Sequence, residues 1–450
     1  MNNIVILSSI EFIFRFLPVC LLAYLLTPAK YRDTTLFLES LVFYAVGEPV
    51  FVLLLLGLTL VNYLTGEILY LDRGKTRSRG AVAATMIAID AGVLTLCKVL
   101  ALTVDSSLLP IGLSFYIFKM ISYQADLYRG KIQTRPTLIR TAAYFMLFPQ
   151  VTQGPIMRYG VGFDRGEHRT SLDQFEEGLV YVVMGLGMKL LLADRLGILW
   201  NEIHKIGYES ISTPLAWLGA YGYSLQLYFD FWGYSLIASG VLVMMGFPFV
   251  ENFIHPYAAG SISDFYRRWH ATLGSWFRDY IYFPLGGSRR GNARTVANLL
   301  IVWLVTGLWH GGTLNFVIWG MVLGVIIVLE KFVFQKILPV LGRFNVLVLI
   351  PLTWVVFAIP NLRELGTYFG RLFPFFGIGK TLDPSDFQRY WGMFWPYFLS
   401  GGVLCVPKVY EILVKHRRNV LVVLLLAAVF WVSVYFMANS SGNTFMYFNF

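Results

Sequence analysis

Apolar runs separated by short polar breaks recur along the whole chain, near residues 4–26, 36–47, 50–71, 81–102, 108–127, 140–157, 176–200, 213–229, 231–249, 295–309, 313–333, 345–360, 393–413 and 419–437. A helix needs about 20 apolar residues to cross a hydrocarbon core, and several of these runs are shorter or interrupted. The pattern predicts an all-α polytopic membrane protein with about 10–12 crossings, the remaining runs being re-entrant or interfacial. Segment 140–157 belongs to that remainder, since basic residues flank it on both sides and Pro149, Gln150, Gln153, Gly154 and Pro155 interrupt it. The run Ile4–Leu26 contains Glu11 and Arg15 with no basic stretch before it, so it reads as a retained first membrane helix. No internal repeat or soluble insert is evident, and residues 1–450 read as one integral-membrane domain.

Composition strengthens this reading. Of 450 residues, 57% are hydrophobic and only 14% charged, against roughly 25% charged in soluble domains. The formal charge of +10 is dispersed in clusters between apolar runs, with no nucleic-acid-binding arm or finger. Placing the clusters Lys30–Arg32, Arg73–Arg79 and Arg129–Arg135 in the cytoplasm puts the N-terminus outside, in a cytoplasmic (inner) membrane. Cys20, Cys97 and Cys405 have neither metal-ligand nor disulfide spacing and read as small hydrophobes.

Of the six histidines, His168, His204, His255 and His416 lie in or beside loops. His310 instead ends the apolar run Leu299–Trp309 and precedes Gly311 and Gly312. A helix-end cap and a functional imidazole are equally economical readings of a histidine so placed. The glycines permit close approach of another group, Trp303 and Trp309 supply apolar walls, and a neutral imidazole suits proton removal from a hydroxyl. His270 falls in the polar, aromatic stretch 264–290, where Arg267, Arg268, Arg278, Arg289 and Arg290 are too many cations for a spanning helix. That stretch reads as an amphipathic interfacial element, or as a site whose arginines hold the phosphates of a donor. Asp230, set among aromatics, needs a partner from elsewhere, and a structural pairing is favoured over catalysis. Beyond His310 and His270, the candidates for contact with donor or acceptor are Arg268, Trp269, Arg278, Asp230, Trp309 and Asn315. No metal is expected, because the two histidines lack a ligand-spaced carboxylate or cysteine.

These motifs together resemble the membrane-bound O-acyltransferase (MBOAT) superfamily, and within it the alginate O-acetyltransferase branch. The resemblance rests on Tyr228–Ser235, Glu251–Phe253 with Pro256–Tyr257, Phe265–Tyr280, Pro284–Gly287 and Gly307–Gly311. It extends to Leu41–Pro49, Leu109–Tyr116, Phe148–Ile156 and the closing Phe445–Phe448, with the core signature over about 109–333. Leu236 departs from that branch and is more similar to the D-alanyl-transfer branch that modifies teichoic acids. The resemblance implies a ring of tilted helices around a thinned centre, His310 as the essential family histidine and His270 as the second.

The expected activity is transfer of an acyl group, acetyl first, from a cytoplasmic thioester onto a hydroxyl of a cell-surface polysaccharide or a partner transferase outside. His310 would act as general base, while His270 would orient the acceptor or stabilise the oxyanion. The donor, acetyl-coenzyme A or an acyl carrier protein, is a co-substrate, and no permanently bound cofactor is expected. D-alanyl transfer to teichoic acid is the alternative. A transporter or flippase using His310 and Asp230 as a proton relay, and a scaffold recruiting a secreted transferase, are the rival classes.

Overall fold

A computed structural model describes residues 6–72, 76–164, 169–334, 338–376 and 381–439. Arg73, Lys75, Arg165, His168 and the Phe445–Phe448 motif lie outside the described residues. Among those described, all regular structure is helical.

Among the described residues, six helices are long and apolar enough to cross a membrane: Pro49–Leu71, Ser78–Thr103, Thr213–Met244, Leu314–Phe332, Leu341–Ala358 and Val420–Asn439. Asp386–Leu404 and Pro407–Lys415, bent by 74°, make a seventh span if they cross together. The protein is therefore multi-pass. That number is lower than the count of apolar runs, because many runs fold as short or broken helices. Leu17–Leu26 has 10 residues and follows a wide π-turn at Glu11–Phe16, and Leu113–Tyr128 has 16. Segment 140–157 is broken as its prolines demand: the nine-residue helix Leu138–Met146 ends at Leu147, and a single turn, Phe148–Val151, follows. In the opposite direction, the two runs 213–229 and 231–249 are largely one 32-residue helix, Thr213–Met244, which contains no proline after its first turn.

The chain divides into two compact units. One comprises the described residues up to Leu186, Tyr234–Glu251 and 424–439. Its interior combines an aromatic cluster of Phe12, Phe16, Phe43 and Phe148 with a buried polar chain. There Gln124 Nε2 donates to Asn62 Oδ1 (2.9 Å), and Asn62 Nδ2 donates to Asp90 Oδ1 (2.9 Å), so hydrogen bonds between side chains link three helices.

The other unit comprises, among the described residues, Gly187–Gly233 and Asn252–Val423, and it contains both candidate histidines. Its framework is the helical hairpin Asn292–His310 and Leu314–Phe332. A Cβ at Gly307 would sit 2.5 Å from the Phe316 carbonyl oxygen, and one at Gly320 would sit 2.5 Å from that of Trp303. The two backbones therefore touch where the side chains are absent, as small-residue interfaces in membranes allow. The hairpin fixes where the first helix ends, and hence where His310 emerges.

Gly307→Ala or Gly320→Ala is expected to push the helices apart at a cost of about 1–3 kcal/mol. Thermal unfolding in detergent should show the loss, whereas Gly57→Ala, with nothing within 4 Å of the added methyl, should leave the midpoint unchanged.

Candidate active site

The stretch around His270 is two short helices, Ile262–Arg268 and Ala271–Phe277, broken at His270, whose backbone is left-handed (φ 45°, ψ 52°). Outside glycine that conformation costs about 1–2 kcal/mol per residue. The extended segment 252–254 holds the break in place: Ala271 N donates to Asn252 O (2.8 Å) and Ile254 N to Arg268 O (3.0 Å). Ser261 caps the first helix, and the buried Glu330 carboxylate accepts from Ile262 N (2.7 Å), Ser263 N (2.8 Å) and Ser263 Oγ (2.7 Å). A carboxylate on the exposed amides of a helix N-terminus is favourably placed, and here it ties the stretch to helix Leu314–Phe332.

Between these elements lies a cavity of about 810 Å³, within the range of small-molecule sites. Its lining includes His270, His310, Trp269, Trp303, Trp319 and Tyr266, with Arg267, Arg278, Glu330 and Lys331 as its charged groups. Arg267 lies 3.8 Å from Asp264, Arg278 lies 3.1 Å from Asp279, and the Glu330 carboxylate is engaged by backbone amides, so these three charges already have partners. The Arg267 and Arg278 side chains are 76% and 58% exposed, so their guanidiniums remain solvated.

Both histidines line this one cavity. The His310 ring packs edge-on to Trp319 (5.0 Å) and Phe357 (5.2 Å) and lies 4.6 Å from the Trp309 ring. Close approach at Gly311 is realised by Phe316, whose ring would lie 2.3 Å from a Cβ there. From His310 an aromatic run continues through Trp319 and Trp354 (5.7 Å) to Trp269 (4.9 Å), beside His270 in sequence. His270 is buried, its Nδ1 lies 2.9 Å from Asn252 Oδ1, and its Nε2 has no hydrogen-bond partner among the described residues. Burial pushes this imidazole from its ordinary value near 6.5 down to about 3, so it is neutral at physiological pH.

The remaining candidates fall elsewhere. Trp269 and Arg278 line the cavity, whereas Arg268, Trp309, Asn315 and Asp230 do not. Arg268 pairs with Asp264 (2.9 Å). Asn315 Nδ2 donates to the carbonyls of Val356 (3.2 Å) and Phe357 (3.1 Å), holding the wall against which His310 packs. Asp230 is buried against Lys189 (2.7 Å), which also pairs with Asp194 (2.7 Å). The partner that the sequence left open is thus a lysine from the π-turn Gly187–Ala193. Sequence reasoning also passed over Glu330, Lys331 and Trp319; the signal was present in Glu330 and Lys331, a charged pair ending the apolar run 313–333.

The sequence profile of the MBOAT, membrane-bound O-acyltransferase family, matches residues 93–341, a span that includes the cavity and both histidines. A probable alginate O-acetylase of Pseudomonas syringae pv. tomato is 37% identical over 394 residues, covering 82% of this chain and 75% of the relative. The chain belongs to the membrane-bound O-acyltransferase family. It is an O-acyltransferase of the membrane. A peptidoglycan O-acetyltransferase of Helicobacter pylori is 30% identical over 415 residues (78% of this chain, 77% of the relative). A teichoic acid D-alanyltransferase of Bacillus subtilis is more distant, 28% identical over 239 residues (50% and 60%).

Two outcomes follow for the two buried polar centres. Lys189→Met, which removes the buried cation shared by Asp230 and Asp194, should destabilise the fold by about 3–5 kcal/mol, and adding Asp230→Leu should restore part of the lost thermal stability. Because the folded pKa of His270 is depressed, the unfolded chain binds the extra proton between about pH 6.5 and pH 3. The stability attached to the neutral ring is complete above that window and lost as pH falls through it. Thermal midpoints in detergent should therefore drop on acidification by less in His270→Gln than in wild type.

Proposed function

We propose that this acyltransferase moves an acetyl group from a cytoplasmic thioester, on coenzyme A or an acyl carrier protein, to a hydroxyl outside the membrane. The acceptor is a cell-surface polysaccharide of the alginate or peptidoglycan kind, or the hydroxyl of a partner transferase that carries the group onward. The observation that carries this reading is the convergence of His270 and His310 on one cavity lined by aromatic rings and basic side chains. Arg267, Arg278 and Lys331 suit the phosphates of a pantetheine donor, and the aromatic walls suit its apolar arm.

In this reading His310 removes the proton as the hydroxyl oxygen bonds to the thioester carbonyl carbon. The tetrahedral intermediate then collapses, the carbon–sulfur bond breaks, and the departing thiolate takes the proton back from the imidazolium. The acyl group is thereby transferred with no covalent intermediate on the chain. Asp230 has no part in these steps, since it is held by Lys189 away from the cavity lining. Similarity over most of the chain to alginate and peptidoglycan O-acetylating relatives supports acetyl as the group moved. Leu236 favours D-alanyl transfer from a carrier protein as the second reading. The basic clusters support a cytoplasmic-membrane location with the N-terminus outside.

His310→Ala is expected to lower the ester content of cell-surface polysaccharide by about 100-fold or more at unchanged membrane abundance. Mild alkaline release identifies the group: acetate supports the first reading and D-alanine the second, while unchanged ester in the variant overturns the assignment of His310.

A further inference from the structure

Asn252 is the residue through which the protonation pattern of His270 is set. Its Oδ1 accepts from Thr272 Oγ1 (2.7 Å) and lies 3.4 Å from the Thr272 backbone N–H. A backbone amide can only donate, so the side-chain atom facing it is the oxygen and not the amide nitrogen. The same oxygen lies 2.9 Å from His270 Nδ1, which must then carry the hydrogen. In a neutral ring with Nδ1–H, the other nitrogen is a bare acceptor. That nitrogen, Nε2, is the one left without a partner on a residue that lines the cavity and is 3% exposed. A buried polar atom without a partner costs about 1–3 kcal/mol, and a ligand hydroxyl would recover it.

We propose that Asn252 is a positioning residue that locks His270 as the Nδ1–H tautomer, so that Nε2 receives a hydrogen bond from a hydroxyl of the acceptor. This rests on the acyltransfer reading above and decides between the two tasks the second histidine was expected to share. A lone pair holds a hydroxyl; it does not stabilise an oxyanion, which requires a donor. The ring of Phe231, edge-on at 4.7 Å, packs on the imidazole and brings no competing donor. The other titratable and charged groups of the cavity are Tyr266, Tyr282, His310, Arg267, Arg278, Glu330 and Lys331. Thr272 and Asn252 are uncharged, so among the described contacts no carboxylate holds a proton on the ring.

The test uses the full chain in lipid nanodiscs with nitrogen-15-labelled histidine, His270 being identified by the signal lost in His270→Gln. Wild type is expected to show protonated Nδ1 and unprotonated Nε2 from about pH 8 down to about pH 5. Asn252→Asp, which keeps an acceptor on Nδ1 but adds charge, should bring protonation of Nε2 into that range. Asn252→Leu should lose the preference for Nδ1–H. In cells, Asn252→Leu should lower polysaccharide ester at least about tenfold at normal abundance. A protonated Nε2 in neutral wild type, or full ester content in Asn252→Leu, would overturn the proposal. Retained ester in His310→Ala would instead overturn the assignment of His310 as the base and leave the tautomer result standing.

Discussion

Everything at the candidate site hangs on a contact between two backbones. Helices Asn292–His310 and Leu314–Phe332 meet where Gly307 and Gly320 have no side chains, and that contact sets the position at which His310 leaves its helix. In a bilayer, lipid tails are as apolar as leucine, so such intimacy is gained from packing and not from exclusion of water. Gly311 repeats the device one turn on, where it admits the Phe316 ring. The imidazole is then boxed by Trp319, Phe357 and Trp309, and it sits on a wall that three separate helices must keep in register.

The second histidine is held by a different principle. His270 occupies a left-handed break between two short helices, a conformation that is retained because neighbours over-determine it. Asn252 supplies both backbone and side-chain contacts to the break, and Glu330 anchors the preceding helix from the opposite direction. The carboxylate therefore makes the helical hairpin and the broken stretch parts of one assembly. Without that link, a cavity wall built from seven-residue helices would have little intrinsic stability, since isolated helices this short do not persist in water.

Legibility from the sequence was uneven, and for physical reasons. The all-helical, multi-pass character follows from apolar runs and low charge, which bear directly on burial in lipid. His310, Gly311 and their aromatic neighbours stood out because an ionisable residue ending an apolar run is rare enough to notice. What a linear pattern does not carry is pairing between residues tens of positions apart. Asp230 announced its need for a partner but not that Lys189 would meet it, and the left-handed turn at His270 has no glycine to advertise it. Apolar runs outnumber the long straight helices for a related reason: a hydropathy run marks burial, and a short helix buried among other helices is as apolar as one facing lipid. Glu330 was legible only in retrospect, since a charge at the end of an apolar run is also what an ordinary interfacial anchor looks like.

The tryptophan lining has a consequence for how this protein can be observed. Trp269, Trp303 and Trp319 face one cavity, and Trp354 continues the same aromatic run. Indole emission responds to local polarity and to nearby quenchers, so a group settling among these rings would change the intrinsic light of the protein itself. The site thus carries its own optical reporter, and binding of an added ligand can be followed in the purified protein without attaching a dye to a surface where each added group competes with lipid.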